Sequence, residues 1–266
     1  GFVKAIRLDD LDYFKLSARD RRIAAAPAER TAAGVEQIQH VIRTMPASKD
    51  IELRNRAIVA CFLLTGSRIS ALISLKMKHV RPDGQGIHFD GAEVRTKFGK
   101  SFTANFLPVG SDIRAIFLDY VDHMRTKLWW GPDDPLFPAT KQQVGKAHKF
   151  ETIGLERRHW RDRSSVRKIY KAAFEAAAVP YHPPHSVRTT LTLLAERECR
   201  NPAEIKAWSQ NLGHEDLLTT FRSYGNIPAQ TKAQIISNMW EREQAPPTDK
   251  EALLKRLQRL LSEEGE

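Results

Sequence analysis

The sequence predicts a mainly α-helical fold with one small antiparallel β-sheet, an α+β architecture. Three observations predict it. Apolar residues recur at helical spacing along most of the 266 residues. Between Gly84 and Leu107 that pattern gives way to short runs separated by Gly84, Gly86, Gly91 and Gly99, which reads as two or three small strands. Prolines and capping residues fall at the ends of the helical stretches.

Residues 1–30 mix charges with Phe2, Tyr13 and Phe14 and end in Ala24-Ala25-Ala26-Pro27, so they read as a tail or linker. A helix is expected from Thr31, with Val35, Ile38, Val41, Ile42 and Met45 on one face, and Pro46 ends it. Residues 51–64 are apolar almost all round, which marks a central helix. Thr65-Gly66-Ser67 breaks it, and a third helix is expected over 68–79, burying Ile69, Leu72, Ile73 and Leu75. After the strands, Pro108 closes the sheet and a helix follows over 111–127. The stretch 129–163 reads as loop, with a basic run of Arg157, Arg158, His159, Arg161 and Arg163. Further helices are expected over 164–178 and from Pro184, Pro202 and Leu217. Ala245-Pro246-Pro247-Thr248 is a linker, and a leucine-striped helix follows over 249–261. The division is therefore a tail at 1–30, one main domain at 31–244, and a linker with a terminal helix at 245–266. The first residue is Gly1 rather than Met, so further sequence is expected upstream.

Composition narrows the function. Apolar residues make up 41% of the chain, enough for a sizeable core and too many for a disordered tail. Lysine and arginine outnumber the acids, 42 to 32, a formal charge of +10. That excess favours polyanions, of which nucleic acid is the commonest. No apolar run reaches the roughly 20 residues that spanning a membrane requires. Cys61 and Cys199 sit in apolar helical patterns and read as reduced core residues of a cytosolic protein.

Several residues carry possible chemistry, and each alone also fits an ordinary structural or surface role. Ser67 is a good N-cap, which places Arg68 at a helix start, where free N–H groups and an arginine fork together suit a phosphate. His185 and Arg188 are three apart, on one helix face, pointing away from Val187, Leu191 and Leu194. His214 follows Gly213, a helix stop, so it lies on a tight turn after a helix capped by Asn201-Pro202-Ala203-Glu204. Tyr224 shares a face with Leu217 and Phe221. Lys97 and Lys100 flank Phe98-Gly99 in an expected hairpin turn. Metal-free phosphodiester cleavage needs a nucleophile, cations for the nonbridging oxygens and an acid for the leaving oxygen. This set offers all three. The sequence has no carboxylate cluster suited to Mg²⁺ and no His/Cys set suited to zinc, so neither metal nor cofactor is expected.

The order and local context of these residues resemble the tyrosine recombinases of the phage integrase family. Thr65-Gly66-Ser67-Arg68-Ile69-Ser70 with Leu72 and Leu75 looks like the family's first-arginine motif. Thr96-Lys97-Phe98-Gly99-Lys100 resembles its hairpin lysine segment, with Lys97 favoured over Lys100 as the catalyst. His185-Ser186-Val187-Arg188 matches its H-x-x-R, and Leu212-Gly213-His214 followed by Thr219-Thr220 and Tyr224 is similar to its last motif. The likeness covers roughly residues 31–240. Ala71 stands where an acid is frequent, Thr189 where histidine is frequent, and His214 and Tyr224 are ten positions apart where nine is common.

The resemblance implies the DNA breaking-rejoining catalytic-domain fold, with the family's N-terminal clamp domain absent from 1–30. It implies that Tyr224 attacks the scissile phosphate and forms a 3′-phosphotyrosyl link. Arg68 and Arg188 would hold the nonbridging oxygens, Lys97 would protonate the leaving 5′-oxygen, His185 would assist proton transfer and His214 would hydrogen-bond the phosphate. The implied partner is double-stranded DNA, bound by a homotetramer on two sites, with the C-terminal helix as a possible protomer contact. The implied setting is the cytoplasm, for a bacterial or phage-encoded protein associated with the nucleoid. The same residues also fit a type IB topoisomerase, which relaxes DNA as a monomer, or a non-catalytic DNA-binding relative. The target site and biological role are not legible. The central expectation is convergence: Arg68, Arg188, the lysine and both histidines must meet at one phosphate.

Overall fold

The computed structural model describes residues 32–144 and 150–213. The expected tail, the helix from Leu217, the terminal linker and helix, His214 and Tyr224 lie outside the described residues.

Helix α1 (Val35–Thr44) buries Val35, Ile38, Val41 and Ile42, the expected stripe. Gln37 caps it by accepting the Gly34 N–H at 2.8 Å. Helix α2 (Asp50–Thr65) is the centre of the fold. Glu52 accepts the N–H groups of Ser48 and Lys49 at 2.9 and 3.1 Å at its start. Residues Ala57 through Leu64 are all buried, which is why its sequence is apolar all round. It stops at Gly66, whose φ of 59° is left-handed and whose N–H reaches Phe62 O.

The third helix is much shorter than the sequence predicts. Helix α3 spans only Ile69–Leu72, and a separate 3₁₀ turn forms at Met77–His79. The Ser74 hydroxyl donates to the carbonyls of Ser70 and Ala71 at 3.1 and 2.9 Å. Beyond it the backbone finds partners outside the helix. Met77 N and Lys78 N donate to Asp134 O and Pro132 O, and Leu136 N donates to Leu75 O. A distant downstream segment thus replaces the helical ladder, and no local pattern signals that.

Strands β1 (Gly86–Phe89) and β2 (Phe102–Asn105) pair antiparallel, with Ile87 opposite Ala104 and Phe89 opposite Phe102. The Phe89 and Phe102 rings stack at 4.8 Å. The run Val94–Lys97 is not a strand. It belongs to a long connection in which Lys97–Gly99 forms a tight turn. Helix α4 (Ser111–Thr126) packs against α2, and Tyr120 donates its hydroxyl to Leu136 O at 2.7 Å.

The stretch 129–163 is not all loop. It holds a second hairpin, β3 (Ala139–Val144) with β4 (Phe150–Glu156), whose register shifts between Lys141 and Gln142. Polar Thr140-Lys141-Gln142-Gln143 shows no alternation, so periodicity could not reveal it. Its base is held by Arg54, 1% exposed, which donates to Pro138 O at 2.8 Å and to the Thr140 hydroxyl at 3.0 Å. The Trp160 ring stacks on the Arg54 guanidinium at 4.7 Å.

Helices α5 (Ser164–Ala176), α6 (Val187–Glu198) and α7 (Pro202–Asn211) complete the described chain. Pro184–Ser186 is a 3₁₀ turn leading into α6. The Asn201 side chain caps α7 by accepting the Glu204 N–H at 2.9 Å, and Gly213 has φ 68° as a helix stop should. Cys61 is fully buried, and burial pushes its thiol up to about 12. Cys199 is only half-buried, at the end of α6 rather than in the core. Among the described residues no helix is long and apolar enough to cross a membrane.

Candidate active site

Arg68 stands just past the left-handed turn at Gly66. It is itself the N-cap residue of α3, with φ −79° and ψ 146°; Ser67 is not. The first bond of that helix runs from Leu72 N to Arg68 O, one residue later than expected. A one-turn helix has little dipole, so what Arg68 offers an anion is its side chain. The guanidinium is half-buried, and it makes no hydrogen bond or ion pair with any described residue.

Arg188 does not lie on a solvent-facing side of its helix, as its three-residue spacing from His185 led one to expect. It is 7% exposed and points into the seam where three segments meet. Its Nη1 donates to Gly66 O at 2.6 Å and its Nη2 to Leu212 O at 2.8 Å. These carbonyls belong to the ends of α2 and α7, where helix dipoles are negative. Neutral dipoles therefore hold this cation, and no carboxylate pairs with it among the described residues. Burial first, and then the neighbouring Arg68 charge, lower Arg188 to about 9, which leaves it charged at neutral pH.

The two arginines share a narrow cleft with Lys97, Thr96, Ser67 and Leu212. The buried Thr96 hydroxyl has no hydrogen-bond partner among the described residues. Lys97 is brought there by the Ser74 hydroxyl, which accepts the Arg95 N–H at 2.9 Å and so fastens the lysine connection to the turn after α3. Arg68 also lines an adjacent cavity of about 190 Å³ with His185, Arg163 and Arg167. No carboxylate lines either space among the described residues. No group of three His, Cys, Asp or Glu side chains there could hold a metal ion.

Four of the six expected residues therefore meet around Arg68: Lys97 and Arg188 on one side, His185 on the other. His214 and Tyr224 lie outside the described residues. Sequence reasoning missed Arg163 and Arg167 as members of the site. They are four apart at the start of α5, a spacing that puts them on one face, but nothing local says which cavity that face borders. It also missed Asn211. Its amide pairs with the backbone of Asn105, accepting from N at 2.7 Å and donating to O at 2.9 Å, and so fastens the end of α7 to β2.

The tyrosine recombinase XerC of Lactobacillus leichmannii is 28% identical over 200 residues, which cover 70% of this chain and 55% of that protein. The chain thus spans about half the length of the curated relatives it matches. The crystal structure of XerA recombinase superposes with a TM-score of 0.54 at 17% identity, over 83% of this chain and 66% of that one. That of XerH site-specific recombinase bound to difH substrate, a pre-cleavage complex, gives 0.51 at 16% identity, over 79% and 53%. These two likenesses are of fold. The phage integrase family profile matches residues 31–230, three quarters of the sequence, and the chain belongs to that family.

Proposed function

We propose that this chain cuts and rejoins double-stranded DNA at specific sites, through a covalent 3′-phosphotyrosyl intermediate on Tyr224. The observation that carries the reading is the cationic cleft, which no carboxylate lines among the described residues. Arg68, Lys97 and Arg188 come from widely separated segments and share it, and His185 borders Arg68 next door. A pentavalent phosphate gathers negative charge on its nonbridging oxygens, and preorganised cations stabilise that charge most when no counter-ion competes.

In this mechanism the Tyr224 oxygen attacks phosphorus as its proton passes toward His185. Arg68 and Arg188 hold the nonbridging oxygens, joined by His214. The bond to the 5′-oxygen breaks, and Lys97 supplies the proton that oxygen takes up. A 5′-hydroxyl from a partner strand then attacks the phosphotyrosine and restores the phenol. The phosphoester energy is conserved, so neither metal nor nucleotide cofactor is required. Two duplexes would be served by four copies acting in the cytoplasm, with the leucine-striped segment at 249–261 docking on a neighbouring copy.

A library of nicked duplexes with randomised sequence tests the chemistry across many candidate sites at once. DNA is recovered only where it stays attached to denatured protein. Wild-type chain is expected to enrich a defined sequence, and Tyr224→Phe to recover none; equal recovery by both would remove Tyr224 as nucleophile. On the enriched duplex, a chain ending at Pro246 is expected to cleave but not to assemble beyond single-site complexes. Unchanged assembly by gel-shift would refute the docking role.

A further inference from the structure

Phe98 is 78% exposed, at the tip of the connection between β1 and β2. Its backbone lies at φ 62° and ψ 24°, a left-handed conformation that a bulky aromatic residue adopts only at a cost. Gly99 beside it, with φ 64°, is the residue type such a turn calls for. The folded protein therefore gains nothing from this ring through burial and loses something through the backbone. The tip is nonetheless firmly supported. Gly91 N donates to the Ser101 hydroxyl at 2.9 Å, and the backbones of Gly91 and Gly99 lie so close that a Cβ at Gly91 would sit 1.9 Å from Gly99 O. Arg95, a few residues before the tip, is held by Ser74. The ring is thus presented from a fixed base.

Its neighbours indicate what it is presented to. The Lys97 ammonium lies 4.8 Å from the Phe98 ring centroid, and Lys97 also lines the cleft of Arg68 and Arg188. Lys100 follows two residues on. An apolar ring beside phosphate-seeking cations is the arrangement with which proteins unstack bases: the cations hold the backbone and the ring takes the place of a stacking partner.

We propose that Phe98 is a base wedge, which inserts against an opened base step next to the phosphate held in the cleft. It is a positioning residue, because unstacking that step fixes how the strand presents its phosphate to Lys97 and the arginines. The inference rests on the DNA-binding part of the reading above.

Binding of the full chain to two short duplexes tests it. One is fully matched, and the other carries a single T·T mismatch that lowers the cost of unstacking. Wild type is expected to prefer the mismatched duplex roughly tenfold, the scale of one lost aromatic–base stack. Phe98→Asn suits the left-handed backbone, so it should fold at least as stably as wild type while binding both duplexes equally. Phe98→Trp should keep the preference. A preference that survives in Phe98→Asn, or is absent from wild type, overturns the wedge. The covalent-capture experiment separates the two ideas. Adduct without mismatch preference sinks the wedge and leaves the recombinase reading standing; a Phe98-dependent preference without any adduct does the reverse.

Discussion

Arg188→Ala is expected to abolish strand cleavage and also to destabilise the fold, by about 2–4 kcal/mol. Arg68→Ala is expected to lose comparable activity with almost no change in stability. The difference follows from what each guanidinium touches. Arg188 serves two helix-end carbonyls, Gly66 O and Leu212 O, inside a largely buried seam. Removing it leaves both acceptors unpaired, at about 1–3 kcal/mol each, while relief from burying a cation offsets part of that. Arg68 is half-buried and bonded to no described residue, so its removal opens no such gap. It even relieves the repulsion that lowers Arg188. For cleavage, each arginine removes a donor to a developing anion, worth roughly a hundred- to a thousandfold in rate. Urea unfolding alongside single-turnover cleavage on the selected duplex checks the pair. Equal stability losses in the two variants would show that Arg188 has no anchoring role.

Gly66→Ala is the second large effect, expected to cost about 2–4 kcal/mol although it adds a single methyl group. Two penalties add. The φ of 59° disfavours any residue with a Cβ. That Cβ would also lie 2.6 Å from Leu212 Cδ2 and 3.0 Å from Leu191 Cδ1, both fixed in the core. Leu212 is the residue whose carbonyl Arg188 holds, so the strain falls on the joint between the first-arginine turn and the last described turn. Thermal unfolding reads the loss, and cleavage at a temperature where the variant stays folded reads the displacement. A variant as stable as wild type would mean that the turn relaxes freely and that this joint is soft. Gly66→Asn, which tolerates the left-handed backbone better, should retain the steric part of the loss and recover some of the strain.

The sequence alone determined the parts of this protein that depend on neighbours along the chain. The apolar band of α2, the cap at Asn201, the stops at Gly66 and Gly213, and the order of the chemical motifs are all local, and all were legible. It could not place what depends on distant pairing. The helix expected over 68–79 ends after Leu72 because Asp134, Pro132 and Leu136 take up its backbone. The polar hairpin at 139–156 shows no alternation, and its base is secured by Arg54 from α2. The same holds within the site. Spacing put His185 and Arg188 on one outward face, but tertiary structure turned Arg188 inward, because two helix ends converge there with unpaired carbonyls. Only the fold brought Arg163 and Arg167 beside Arg68, and only the fold joined Lys97 to the cleft through Ser74. Helical period and capping are short-range properties that a sequence carries in plain view. The direction of a charged side chain is set by which distant dipoles need a partner, and those meet only when the chain has folded.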